Sequence, residues 1–255
     1  MRSFLCVLAT ITLFAAPAAA QDHRVFVNVN VGALSQSQDL KQTANFLLYD
    51  EPGTWEANHT IESGGPFFDL GGGYRLHRNL FVGASFTQVS KQSRGVTVNA
   101  SVPSPLFTDT FRNASGSATG LEHKERAVHL QALLQIPVTV EFAVSLFGGP
   151  TFFTVEDELV SGFSLAEAGG DFTSVSLGDI RTEAQKHTTT GFHLGFDAQY
   201  MFMKNVGFMK DAGVGGMLRY SKGSVDLTAP ADTGSDTFKI DTGGLEIGAG
   251  LRFRF

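Results

Sequence analysis

The chain has 255 residues, a formal net charge of −6 at pH 7 and a mean hydropathy of +0.03, with 29 glycines, 23 phenylalanines and one tryptophan. This mildly acidic balance excludes a typical nucleic-acid-binding protein, which needs a basic patch. The only cysteine, Cys6, lies in a predicted export signal. The mature chain therefore has no disulfide, no thiolate nucleophile and no cysteine-ligated metal.

Residues 1–20 have the pattern of a cleaved export signal. Arg2 supplies a positive start, an apolar run extends from Phe4 to Ala16, and the small residues Ala18 to Ala20 match a cleavage site. The run is shorter than the roughly 20 residues that a membrane-spanning helix needs. We therefore expect cleavage after Ala20, a mature domain at residues 21–255 and, with Arg2 lost, a net charge of −7.

The mature chain alternates between two rows of residues with a period of two, most clearly in its last segment. Neighbouring residues on a strand point to opposite faces, so this pattern predicts a strand with one apolar face and one glycine-rich, charged face. The apolar row is Leu245, Ile247, Ala249, Leu251, Phe253 and Phe255, and the other row is Gly244, Glu246, Gly248, Gly250, Arg252 and Arg254.

The same alternation recurs in seven further segments, at 24–33, 67–76, 80–87, 127–136, 142–149, 191–200 and 212–221. Short connections at 77–79, 137–141 and about 203–211 alternate with long ones at roughly 34–64, 90–125, 150–190 and 222–241. This is typical of barrels with short periplasmic turns and long extracellular loops. We predict an all-β, closed antiparallel up-and-down transmembrane barrel of eight strands. Strand-like alternation at 95–100 and 152–155 leaves ten strands as the alternative.

The polar row is expected to face the barrel interior, because an arginine on the lipid face costs about 2–4 kcal/mol near the midplane. An eight-stranded barrel is only wide enough for side chains to fill it, so we predict a packed polar network rather than an open pore. Its charged members and histidines are Arg24, Asp69, Arg75, His129, His193, Asp197, Arg219, Glu246, Arg252 and Arg254, with Asn28, Asn30, Gln131, Gln135 and Gln199 as neutral partners.

The signal, the eight alternating segments and the terminal run from Leu251 to Phe255 resemble small bacterial outer-membrane barrels of the OmpA/OmpX/OmpW type. The resemblance implies a Gram-negative outer membrane, contact with its lipid, and recognition of Phe253 and Phe255 by the barrel-assembly machinery. Residues 98–121 also resemble the second loop of porin-family barrel domains with no assigned role. Both resemblances identify a fold rather than an activity.

Four residues of the polar row, His129, His193, Asp197 and Glu246, could form an acid/base group, because some outer-membrane barrels are enzymes. The chain has no Gly-x-Ser-x-Gly motif, and an interior hydrogen-bond network accounts for the same residues. Catalysis would also need a nucleophile and a base within hydrogen-bond reach. We therefore expect no enzymatic activity.

Neither metal nor cofactor is expected. His59, His123 and His187 lie in or beside the long connections and are isolated, without the close spacing of zinc ligands. The acidic residues around the last connection lack the spacing of a calcium loop. They are Asp226, Asp232, Asp236 and Asp241.

The first long connection is rich in aromatic residues, including Phe46, Tyr49 and Trp55. They mark either a contact surface for a ligand or partner, or extended hairpins whose side chains pack on neighbouring connections. Three functions follow for the whole chain: a structural and surface protein with a filled barrel, which leads; a conduit for small or apolar solutes, as attributed to OmpW-like barrels; and a lipid-modifying membrane enzyme. The sequence leaves the external ligand open.

Overall fold

The computed structural model describes residues 23–35, 39–60, 65–90, 92–168, 172–228 and 237–255. The predicted signal and its cleavage site lie outside these ranges. No helix within them is long and apolar enough to cross a bilayer. The described residues form eleven antiparallel strands: β1 Val25–Ser35, β2 Asp39–Leu48, β3 Glu51–Thr60, β4 Gly65–His77, β5 Leu80–Val89, β6 Gln92–Pro103, β7 Phe111–Pro137, β8 Phe142–Ala168, β9 Ser174–Val206, β10 Met209–Thr228 and β11 Thr237–Arg254.

Eight of these strands close into a ring, in the order β1–β4–β5–β7–β8–β9–β10–β11 and back to β1. The ring closes where Val29 of β1 lies opposite Leu251 of β11 on one side and Leu70 of β4 on the other. The predicted fold class and the count of eight are confirmed. The ten-stranded alternative is wrong, because residues 95–100 belong to β6, outside the ring, and residues 152–155 continue β8.

The two rows of each ring strand face opposite sides of the wall. In β11, Ile247 and Leu251 are 58% and 50% exposed, whereas Arg252 is fully buried and Glu246 nearly so. The outer wall is thus an apolar band, and its backbone groups are paired strand to strand as lipid requires, except at a short break between β7 and β8. A slip of one residue would move Arg252 onto that band, so the polar row fixes the register.

The structure differs from a strict alternation at two places. Ala212 is buried rather than on the outer face, because a bulge between Ala212 and Gly213 shifts the pairing of β10 with β9. Arg24 is exposed at the end of the barrel rather than enclosed, and the preceding residue, His23, is buried instead. Both deviations lie where the ladder begins, so the period-two rule fails there.

The long connections are largely strands rather than loops, which corrects the predicted boundaries. The first connection forms the hairpin β2–β3, and the second supplies β6 and the first half of β7. These pair in the order β2–β3–β6–β7 as a sheet outside the ring. The hairpins β8–β9 and β10–β11 likewise continue past the barrel.

The strands that continue beyond the ring, with the sheet outside it, have an apolar core of their own. The sheet β2–β3–β6–β7 packs against the outer part of the β8–β9 hairpin, as the two layers of a β-sandwich do. Trp55 is 5% exposed and meets the ring of Phe163 edge-on, at 6.0 Å between centroids. Other buried members of this core are Ala44, Ala57, Val96, Val98, Ala100, Val102, Ala114, Leu121, Val160 and Val175.

Candidate functional site

The lumen of the barrel is crossed by Arg219, which lies on β10 and is 1% exposed. Its guanidinium donates hydrogen bonds to Asp69 Oδ2 at 3.0 Å and Ser85 Oγ at 3.1 Å. Strand β5, which carries Ser85, lies on the opposite side of the ring from β10. Arg219 also forms an ion pair with Glu246 of the adjacent strand β11. One side chain therefore ties opposite walls together.

A second arginine extends this network toward the end of the barrel that carries the short turns. Arg252 forms an ion pair with Asp197 and donates to Asn30 Oδ1 at 2.7 Å. Asn30 in turn donates to Asp69 Oδ1 at 2.9 Å, which joins the two arginines through a single carboxylate. Buried charges are tolerated when they are paired and hydrogen-bonded, as here.

The two interior histidines share a threonine. Thr151 Oγ1 lies 2.9 Å from Nδ1 of His129 and 2.9 Å from Nδ1 of His193. The second ring nitrogen of His129 contacts Thr87 Oγ1 at 3.2 Å. Both rings and the threonine are buried. The three side chains fill this part of the lumen with a connected hydrogen-bond network.

Little space is left between these side chains. Phe26, Phe81, Leu133, Phe147 and Met217 form an apolar cluster inside the ring. The cavity that remains among them and the polar network holds about 30 Å³. That volume is enough for only a few water molecules, since one needs about 10–15 Å³. The lumen is thus a packed core.

Two predicted interior arginines lie apart from the network, at the short-turn end. Arg254 is 2% exposed, whereas Arg75 is half-buried and stands over the ring of Phe81, 5.3 Å from its centroid. The structure therefore brings together seven of the nine charged residues and histidines proposed for the interior besides Arg24. These seven are Asp69, His129, His193, Asp197, Arg219, Glu246 and Arg252.

A buried ionisable cluster lies beyond the apolar band, where the long strands leave the barrel. Asp157 Oδ1 is 2.6 Å from both Arg94 Nη1 and His123 Nδ1. The other nitrogen of His123 is 3.9 Å from Glu125, and Glu125 accepts a hydrogen bond from the backbone N–H of Gly243. Sequence reasoning missed this cluster, because its members come from β6, β7 and β8 and have no local spacing.

Burial sets the protonation of this cluster. Burial raises the pKa of Glu125 to about 7, with the Glu246 charge adding to the effect. For the neighbouring His59, burial and then the Arg94 charge lower the pKa to about 4. Burial alone would raise the pKa of Asp157, but the hydrogen bond from His123 and the Arg94 charge bring it below its usual value. At neutral pH, His59 is therefore neutral and Glu125 is close to half-ionised.

The residues considered as metal ligands in the sequence analysis do not form a metal site in the described part of the chain. Among the described residues, no group of three or more His, Asp or Glu side chains is placed to hold a metal ion. His187 is within 3.2 Å of Gln185, and Asp226 and Asp241 are exposed. Asp232 and Asp236 lie outside the described residues.

The aromatic residues of the first connection take the packed arrangement. Trp55 and Phe46 both meet Phe163 of β8, and Trp55 is 5% exposed, as the second interpretation, that of packed hairpins, requires. Tyr49 remains 46% exposed at the hairpin tip, and its hydroxyl lies 3.1 Å from Glu167 Oε1. Of the three aromatics predicted as a contact surface, only Tyr49 is largely open to solvent.

Comparison with known proteins identifies the family. A model described as an outer membrane protein beta-barrel domain matches residues 6–253. The chain belongs to this family. Family membership confirms the resemblance to outer-membrane barrels and relates the chain to proteins of the bacterial outer membrane. No curated protein sequence matches the chain.

Solved structures similar to this chain are also outer-membrane proteins. OprG from Pseudomonas aeruginosa is 12% identical, with 91% of this chain and 96% of that one covered and a TM-score of 0.47. Another is the Neisserial surface protein A, which is 12% identical, with 91% of this chain and 97% of that one covered and a TM-score of 0.39. A third is the protease OmpT from Escherichia coli, which has the same identity and coverages and a TM-score of 0.44. Likenesses this distant carry no information on role.

Proposed function

We propose that this protein is a surface protein of the outer membrane whose closed barrel anchors a folded extracellular β-domain. The observation that carries the proposal is the crossing of the lumen by Arg219, which pairs with groups on β4, β5 and β11 at once. A conduit would need a continuous path past this side chain, and the remaining cavity of about 30 Å³ provides none.

The barrel wall offers no better path. The ladder between β7 and β8 is interrupted between the pairs His129–Thr151 and Ala132–Gly148, where Pro150 cannot donate a hydrogen bond. The two strands nevertheless stay close there. A Cβ added to Gly149 would lie only 2.1 Å from the carbonyl oxygen of Leu130, so no gap opens between them. The interruption is thus a local break in pairing, which weighs against lateral passage of an apolar solute.

Conductance in planar bilayers tests whether the lumen is closed. The wild type should give no single-channel steps, and the double variant R219A/R252A, which removes both crossing side chains, should give small steps if it still folds. The matched control is Lys222→Ala, an exposed residue on the same strand as Arg219, and it should stay silent. Regular steps from the wild type would contradict the proposal.

Labelling of intact cells tests the surface role. The predicted mature chain lacks cysteine, so single cysteines can be placed at Ser115, on the exposed face of β7, and at Arg78, in a short turn. A membrane-impermeant maleimide should label Ser115→Cys and spare Arg78→Cys until the cells are broken. The reverse pattern would show that the long strands face the periplasm.

A further inference from the structure

The tripeptide Asn-Ala-Ser occurs in two strands that lie outside the ring, once in β6 and once in β7. The two copies lie side by side and run in opposite directions, with Asn99 opposite Ser115 and Ser101 opposite Asn113. The alanine of each copy is at most 5% exposed and packs in the core that contains Trp55. The four polar side chains therefore form a regular cluster on the outer face of the sheet, above a packed core.

This cluster lines a groove on the exposed face of the sheet β2–β3–β6–β7. The groove has a volume of about 500 Å³, and small-molecule sites are typically about 300–1,000 Å³. Its hydroxyl and amide side chains are Thr43, Thr54, Asn99, Ser101, Asn113 and Ser115. Five of these six are exposed, and Ser101 is half-buried. None of them forms a side-chain hydrogen bond with another described residue, so their donors and acceptors are open to a ligand.

The face around the groove carries almost no charge. It is formed by residues 41–45, 54–58, 97–101 and 113–117. The charged side chains in these four segments are Lys41 and Glu56, which form an ion pair with each other. By contrast, the solvent-facing side of the neighbouring β8–β9 hairpin carries Glu156, Glu183 and Lys186. Charged residues normally keep such a surface soluble, so their scarcity around the groove favours contact with an uncharged ligand.

Neutral sugars match this chemistry. A sugar hydroxyl both donates and accepts hydrogen bonds, and so do the serine and threonine hydroxyls and the asparagine amides of the groove. An anionic glycan would need a free cation, whereas the cation of this face, Lys41, is already paired with Glu56. We propose that the groove binds a neutral glycan, an inference that rests on the proposed function as a surface protein.

The position of the groove selects the source of the glycan. Asn113 and Val128 lie on the same strand, β7, and the 15 residues between them span about 50 Å. The groove is therefore far beyond the apolar band, whereas the sugars attached directly to the bacterium's own lipids lie next to the bilayer. The ligand is thus a neutral glycan of another cell or of the surrounding matrix.

An array of immobilised oligosaccharides tests the class of ligand. The protein is placed in fluorescent phosphatidylcholine vesicles with many copies each, because multivalent contact strengthens weak binding. These vesicles should bind one or more neutral glycans and leave sialylated and sulfated glycans unbound. Polysaccharide purified from the bacterium's own surface is printed beside them. No binding, binding only to anionic glycans, or binding only to the bacterium's own polysaccharide would overturn the proposal.

Variants of β6 and β7 place the site in the groove. The double variant N99A/N113A should weaken binding about tenfold or more, because two hydrogen-bonding side chains are lost. The matched control is T97A/S117A, which removes exposed polar side chains from the same two strands outside the groove, and it should bind like the wild type. Emission of Trp55 shows whether each variant is folded. Equal losses in the two variants, or full binding by N99A/N113A, would contradict the assignment.

The Ser115→Cys variant separates this proposal from the proposed function. In intact cells an impermeant maleimide should label this cysteine, and a saturating amount of a neutral glycan that binds on the array should slow the labelling. Thr182→Cys, at an exposed position of β9, should be labelled equally with and without the glycan. Absence of labelling at both positions would contradict the surface role itself. Labelling of Ser115→Cys that the glycan fails to slow would overturn the glycan site alone.

Discussion

Arg219 makes polar contacts with four interior side chains at once, namely Asp69, Ser85, Thr87 and Glu246. The alternation of polar and apolar residues along β10 was enough to predict that Arg219 faces inward. Its partners were not predictable, because Asp69 lies 150 positions away and is brought near only when the ring closes. Sequence pattern thus assigns a residue to a face, and the closed sheet then selects its contacts.

The Arg219→Met variant should destabilise the barrel by about 3–5 kcal/mol, because it leaves two buried carboxylates without their partner. Urea unfolding in lipid vesicles measures the loss. Lys222→Met on the same strand is exposed, and we expect a change within about 0.5 kcal/mol. Similar losses in the two variants would mean that the interior ion pairs do not hold the walls together.

Glu125 predicts a pH dependence of the extracellular domain. Its pKa is raised to about 7 in the folded state, so the folded state holds the proton more tightly than the unfolded chain does. Stability from this group is complete below about pH 4.5 and is lost as the pH rises through about 7. Glu125→Gln should therefore be more stable than the wild type at pH 8, by on the order of 2 kcal/mol, and equal to it near pH 4.5.

Trp55 is the one tryptophan of the chain and lies in the extracellular core, so its emission during urea unfolding reports this domain directly. The contribution of His59 to stability has the opposite pH dependence, because it is lost as the pH falls from 6.5 toward 4. This loss is the same in the wild type and in Glu125→Gln, so it cancels when the two are compared. A pH profile unchanged by Glu125→Gln would contradict the raised pKa.

At the scale of elements, period-two patterning predicted all eight ring strands, because a wall between lipid and a polar lumen imposes strict alternation. It missed β2 and β3, which lie outside the bilayer. In β2 the buried row includes the polar Gln42, and the exposed row includes Leu47. Burial there is decided by packing on β8 and β9 rather than by contact with lipid, so the alternation is diluted.

Glycines on the two faces of the ring should differ in how well they tolerate substitution by alanine. A Cβ added to Gly250 would lie 1.8 Å from the carbonyl oxygen of Val29, whereas at Gly216 its nearest neighbour would be 3.8 Å away. Gly250→Ala should therefore push β1 from β11 and cost about 1–3 kcal/mol, and Gly216→Ala should be close to neutral. Unfolding midpoints of the two variants decide this, and equal midpoints would contradict the close approach of the strands.

For the molecule as a whole, barrel and extracellular domain share strands but not cores. The part of β7 before Val128 adds about 55 Å of strand beyond the apolar band, and its buried residues pack on β8 and β9 rather than in the lumen. The buried cluster around Asp157 could not be predicted from sequence, because it forms only where β6, β7 and β8 meet. The two cores should therefore unfold separately.

Trp55→Ala tests that separation. Removing this side chain should destabilise the extracellular core by about 3–5 kcal/mol, so limited proteolysis should cleave the long strands and leave a barrel that still migrates faster unheated than boiled. Thr54→Ala, an exposed neighbour, should resist cleavage as the wild type does. If Trp55→Ala also abolished the heat-dependent migration, the two regions would be one cooperative unit.

The account as a whole depends on which row of β11 touches lipid. Single cysteines at positions 245 to 252 of the predicted cysteine-free mature protein can be exposed to a maleimide confined to the acyl chains of a vesicle. We predict strong labelling at Leu245, Ile247, Ala249 and Leu251 and little at Glu246, Gly248, Gly250 and Arg252. Equal labelling of both rows, or labelling of Arg252 in preference to Leu251, would contradict a closed barrel with its polar row enclosed.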